Sequence, residues 1–186
     1  MAYQKLNYAQ ALRVITSDTV RIPDPNSLIL SLANETGDFT TKDQVTVAAG
    51  GLLTAGIQQN AIIYCPADKK CWYVVDIIDD TTLKINGDDD TGSAGAVFQI
   101  YNRAAEGCNL YTGGFLSGNP GPTNKAYGGD LTVVMAEMNH SWTVADDVTG
   151  LSPITFFNVD PAQYHPINVL MVRKTGTDVE NIVALW

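Results

Sequence analysis

The stretch His165-Pro166-Ile167-Asn168-Val169-Leu170-Met171-Val172-Arg173-Lys174-Thr175-Gly176-Thr177-Asp178-Val179-Glu180-Asn181-Ile182-Val183-Ala184-Leu185-Trp186 decides how the fold is read. It reads as two strands around a polar turn containing Gly176, a terminal hairpin. Side chains alternate across a strand, so Ile167, Val169 and Met171 are expected on one face and Asn168, Leu170 and Val172 on the other. Both faces are mostly apolar, which predicts a strand covered on both sides. The second strand repeats the pattern, with Ile182, Ala184 and Trp186 opposite Val183 and Leu185. Such residues are expected to be buried in the chain's own core or against a neighbouring subunit. Ile167, Val169, Leu170, Met171, Val172, Ile182, Val183, Leu185 and Trp186 are therefore the candidate core and oligomer contacts.

The totals set the frame. The 186 residues suffice for one good core or two small ones. A hydrophobic fraction of 45% is ordinary for a folded domain, whereas 17% charged residues is low and implies surface hidden in contacts. The net charge of -9, without any run of Lys or Arg, argues against binding nucleic acid or anionic lipid through counterion release. No apolar run approaches the roughly 20 residues of a membrane helix, and the segment 1–7 lacks the apolar centre of a signal peptide. A soluble, untargeted protein with no nucleic-acid or membrane partner is the expectation. Cys65 and Cys71 flank a turn that brings them across a hairpin, but the reducing compartment this implies favours free thiols. Cys108 reads as a small buried apolar side chain.

Further along the chain, residues 1–9 carry Tyr3 and Tyr8 without a clear period and read as an extended arm that is either free or docked on a neighbour. Strands are expected at 11–15 and 28–32. Between 35 and 102 come short runs bounded by Gly, Asn, Asp or Pro: Val45 and Val47, then 61–65, 72–78, 82–85 and 97–101. That spacing predicts a small barrel or sandwich. Strand character returns at 107–114, 130–138, 142–144 and 155–159. No stretch has a convincing helical period, so the fold class is all-β.

Candidate chemistry is sparse. His140 and His165 form no zinc-binding pattern, and Asp88-Asp89-Asp90 lacks the spacing of a calcium loop, so no metal site is expected. Glu137, Asp146 and Asp147 are carboxylates without a fixed separation, and Ser17, Ser141 and Ser152 stand outside any Gly-x-Ser-x-Gly elbow. No glycine pair opens a helix as a phosphate loop would. No catalytic residue and no cofactor are expected. Trp72, Tyr73 and Trp142 could form a stacking platform for a carbohydrate, against the commoner role of aromatics in a core.

A family resemblance adds to this reading. The run 155–160, the run 165–172, the Thr175-Gly176-Thr177 turn and the closing Ile182-Val183-Ala184-Leu185-Trp186 resemble, in order and spacing, a family of tailed-phage virion proteins. That family includes the head-spike base of gene transfer agents and cyanophage structural proteins. Residues 11–20 resemble its opening strand and turn, and Gly107-Cys108-Asn109-Leu110-Tyr111 resembles a later strand. Residues 56–64 and 76–85 resemble a module common in phage structural proteins. Asp160 stands where the family usually turns at proline, and the loops at 119–128 and 146–152 are longer. The resemblance implies a split β-sandwich or jelly-roll-like domain, 1–34 plus 106–186, with a small barrel-like domain inserted at 35–105. It also implies a capsid decoration (cement) or spike-base protein on the capsid exterior. Its partners would be itself, as a trimer or pentamer, and the major capsid protein or other virion proteins. The alternative is a carbohydrate- or host-surface-binding module of a phage fibre or spike.

Overall fold

A computed structural model of the chain describes residues 10–33, 35–88, 91–113, 129–136, 153–160 and 162–186. The fold is all-β, with a barrel-like element, as the strand spacing predicts. Its strands are β1 (Ala11–Arg13), β2 (Thr36–Asp38), β3 (Gln44–Val47), β4 (Ile62–Cys65), β5 (Lys70–Ile77), β6 (Thr82–Asn86), β7 (Ala96–Val97), β8 (Gln99–Tyr101), β9 (Cys108–Thr112), β10 (Gly129–Met135), β11 (Ile154–Val159), β12 (Gln163–Val172) and β13 (Ile182–Leu185). They form a seven-stranded sheet in the order β7-β2-β3-β6-β5-β4-β8 and a six-stranded sheet in the order β1-β13-β9-β12-β10-β11.

Every strand of the first sheet lies between Thr36 and Tyr101, and the second takes β1 from before that run and the rest from after it. The first sheet curls almost into a barrel because its two edges are one continuous piece of chain. β7 pairs with β2, β8 pairs with β4, and only Phe98 separates them. The run 97–101, expected as one strand, is thus two strands turned about a fully buried Phe98. Alternation sends Val45, Val47, Ile63, Cys65, Trp72, Val74, Leu83 and Ile85 into the barrel core. Gly37 makes closure possible. A Cβ there would lie 2.8 Å from Val45 Cγ2 and 2.9 Å from Phe39 Cε2, so only glycine lets these side chains fill the interior.

Local chemistry explains other departures from expectation. Residues 28–32 are not a strand: Leu28 makes one isolated bridge to Tyr101, and Leu30–Leu32 form a 3-10 turn. This segment still serves the barrel, because Ile29 and Leu32 join its core and the Ile29 N–H donates to Ile100 C=O at 2.9 Å.

In the second sheet, β12 and β13 are not a hairpin, because β9 lies between them and pairs with both. A tight turn would force neighbouring strands together, whereas residues 173–181 cross over β9 and are fixed along the way. The Arg173 N–H donates to Thr132 C=O (2.9 Å), Thr132 Oγ1 donates to Gly176 C=O (2.8 Å) and the Gly113 N–H donates to Asn181 C=O (3.0 Å). The expected faces of β12 also change. Val169 and Val172 pack with Leu110, Leu131, Val133 and Ile182, while Leu170 and Met171 pack with Val134 on the other side. Register slips between Val134/Met135 and Met171/Val169, and this bulge places two successive residues on one face. Among the described residues the second layer that a sandwich or jelly roll requires is not present as a further sheet.

The barrel core thus includes Ile29 and Leu32, which lie upstream of position 35. An isolated fragment 24–104 is expected to unfold cooperatively in denaturant. Fragment 35–105, which lacks two buried aliphatic side chains at about 1.5 to 3 kcal/mol each, is expected to be about 3 to 6 kcal/mol less stable. Equal midpoints would show that the segment 28–32 is not part of the barrel.

Candidate interaction surface

The connector 14–22 joins the two sheets and shows how the chain spends its polar groups. Toward the six-stranded sheet, the Ser17 N–H donates to Val172 C=O and the Ile22 N–H to Leu170 C=O, both at 3.0 Å. The Ser17 hydroxyl accepts from the Val20 N–H at 2.8 Å, the turn chemistry expected of serine at this spacing. Toward the barrel, the Arg21 N–H donates to Tyr73 Oη at 3.0 Å, and Tyr64 Oη donates to Arg13 C=O at 2.8 Å. Val20 is buried with Ile62 and Cys71, whose side chains leave the outer face of β4 and β5, and Ile15, Tyr73 and Ala104 close over them. This explains why β4 is buried on both faces.

Asp18 is the polar centre of this joint. Its carboxylate accepts from Arg173 Nε at 3.0 Å, from the Thr175 N–H at 3.0 Å and from Thr175 Oγ1 at 2.6 Å. From the barrel side Asp88 accepts from the Asp18 N–H and from Thr19 Oγ1, each at 2.6 Å. Partial burial pushes the Asp18 carboxyl up, but the Thr175 hydroxyl and N–H and the Arg173 guanidinium together outweigh it and hold the carboxyl below its ordinary value. Beside this joint lies a shallow groove of about 260 Å³, with Arg13 and Lys69 on its walls together with Asp178 and Glu180. Mixed charge in an open groove gives no preference for one ligand class.

The aromatic platform does not form at the surface. Trp72 is fully buried and stacks on Phe39 with ring centroids 4.8 Å apart, inside the barrel. Tyr73 faces the joint, where its hydroxyl is held by Arg21. Trp142 lies outside the described residues, as do His140, Glu137, Asp146, Asp147, Ser141, Ser152, Asp89, Asp90 and the segment 1–9. Of the terminal candidates, Val169, Leu170, Met171, Val172 and Ile182 are buried within the chain itself, and Ile167, Val183, Leu185 and Trp186 are half-buried. Leu170, expected on a face free to meet a neighbour, is already covered. His165 Nε2 lies 3.1 Å from the hydroxyl of fully buried Thr112, and burial lowers the imidazole pKa.

All three cysteines are free and buried. Cys65 points into the barrel and Cys71 toward Val20, on opposite faces of adjacent strands, so they cannot pair. Burial pushes the Cys71 and Cys108 thiols up to about 12. Among the described residues no three His, Cys, Asp or Glu side chains gather as a metal site, and no helix is long and apolar enough to cross a membrane.

The exposed apolar surface that sequence reading missed lies on β11. This strand pairs with β10 on one side and ends the sheet order on the other. Phe157 is 73% exposed and Ile154 46% exposed. At the opposite edge the Arg13 carbonyl of β1 is capped by Tyr64, so the two edges are unequal. The signal available in sequence was Phe156-Phe157, an adjacent aromatic pair that alternation cannot bury on one face.

Two outcomes follow from this geometry. Trp72→Ala is expected to lower unfolding stability by about 3 to 5 kcal/mol, as an emptied core site does; an unchanged denaturant midpoint would return Trp72 to the surface. Asp18 stabilises the fold while ionised. Its folded pKa is below the unfolded value of about 3.9, so its contribution is intact above that pH and is lost as pH falls through the lower folded value. The melting-temperature gap between the wild type and Asp18→Asn should be constant from pH 5 to 7 and should shrink below about pH 4. A gap that widens in acid contradicts this assignment. Compared with protein-family models, characterised proteins and solved structures, the chain matches none.

Proposed function

We propose that the chain is a non-enzymatic structural protein of a tailed-phage virion, a capsid decoration (cement) or vertex spike-base protein that oligomerises on the capsid exterior. One observation carries this reading. The segments that resemble the virion family are scattered through the sequence, yet residues 11–13, 108–111, 155–159, 165–172 and 182–185 meet as strands of one sheet. A resemblance made of chance matches would not have to converge on one structural unit. The segments that resemble the phage module, 56–64 and 76–85, fall in the barrel. Function in such a protein resides in burial between subunits, and an open sheet edge bearing Phe157 suits that work. The net charge of -9 favours an exterior position, away from packaged nucleic acid. The interior position of Trp72 and the joint position of Tyr73 weigh against a carbohydrate platform.

Sedimentation equilibrium tests the reading. The expected species is a trimer or pentamer, three or five times the 20.0 kDa chain mass, and it should co-sediment with capsids of the phage that carries this sequence. A chain that stays monomeric at high concentration and joins no such capsid would overturn it.

A further inference from the structure

We propose that residues 1–9 of one copy add as a strand to the open β11 edge of the next copy, linking subunits head to tail. This rests on the reading of the chain as a self-assembling virion protein and names the surface through which it assembles. Three observations carry it.

The first is the inequality of the sheet edges. An unpaired edge presents a row of backbone donors and acceptors that another extended segment can complete. At β1 the Tyr64 hydroxyl already occupies the outward Arg13 carbonyl, whereas β11 shows Phe157 at 73% and Ile154 at 46% exposure. Two identical subunits cannot extend the sheet simply by abutting β1 against β11, so a separate strand has to join them.

The second is reach. The segment 1–9 leaves the sheet at Gln10, which is fixed by the Trp186 N–H on its carbonyl at 3.2 Å and by its own side chain on Asn26 Oδ1 at 2.8 Å. That point lies beside β1, at the edge far from β11. Six strands at about 4.8 Å spacing are about 24 Å wide from first to last, and nine extended residues reach about 30 Å. Within one copy nearly the whole segment would be consumed in crossing the sheet. On a neighbour whose β11 lies next to β1, the full length is free to pair.

The third is chemical fit. The segment holds Tyr3, Leu6 and Tyr8 for contact with Phe157 and Ile154, and it carries Lys5 without any of the chain's 20 acidic residues. β11 ends beside the exposed acidic residue Asp160. A donor at one end of the sheet and an acceptor at the other make a heterologous contact, which closes into a ring when the rotation allows.

The test uses the full chain and its buried thiols, which keep disulfide background low. In Tyr8→Cys/Phe157→Cys and Leu6→Cys/Phe157→Cys chains, mild oxidation is expected to give a trimer or pentamer ladder on a non-reducing gel that collapses with reductant. Deleting residues 2–9 is expected to convert the oligomer to monomer with an unchanged melting temperature of the monomeric fold. A deleted chain that keeps the wild-type mass, or cysteine pairs that link only within one chain, overturns the inference and leaves the virion reading standing if capsid binding persists. A wild-type chain that is monomeric in solution and on capsids overturns both.

Discussion

The structure depends on the connector 14–22, which has to satisfy two sheets at once. Its backbone donates to β12 at Ser17 and Ile22, and it receives the barrel through Tyr73, Tyr64 and Asp88. Buried polar backbone that lacked these partners would cost more than most single side chains contribute, so the connector's path is fixed by its hydrogen bonds. The apolar contact of Val20 with Ile62 and Cys71 adds to the joint. Asp18 then ties the joint to the crossover 173–181, and in this way the most distant parts of the sequence hold one another.

Much of the fold was legible because alternation survives wherever one face is buried. Val45 and Val47, Leu83 and Ile85, and Leu131 and Val133 announce β3, β6 and β10 by period alone. β2 was not legible, because Thr36-Gly37-Asp38 contains no apolar side chain, and its role is to leave room for Phe39 and Phe98. The bulge in β12 was hidden for the opposite reason: in Val169-Leu170-Met171-Val172 every residue is apolar, so a slipped register changes nothing in the pattern.

Strand partners are a different kind of information. The sequence around Thr175-Gly176-Thr177 reads as a turn, and it is one, but which strand lies beside which is decided by atoms far away. Thr175 is held by Asp18, 157 positions earlier in the chain, and β9 enters between β12 and β13. Trp72 and Tyr73 make the same point. Alternation says that the two face opposite ways, and only the curl of the barrel says which way is inward. The open edge at β11 was likewise unreadable, since exposure of Phe157 follows from the sheet order.

The pairing of β1 with β13 sets an order of events during synthesis. Ala11 finds Leu185 across almost the whole chain, while every barrel partner lies within residues 36–101. As the chain emerges, the barrel can close once Tyr101 is out, well before the six-stranded sheet has its strands. Closing the larger loop costs little more entropy once the barrel has already compacted the intervening chain and drawn residues 22 and 105 together, where the Ala105 N–H meets Ile22 C=O at 2.8 Å. The inserted unit therefore acts as an internal clasp: it turns the longest-range pairing in the molecule into a short one, and until it closes, the first strand has no template to join.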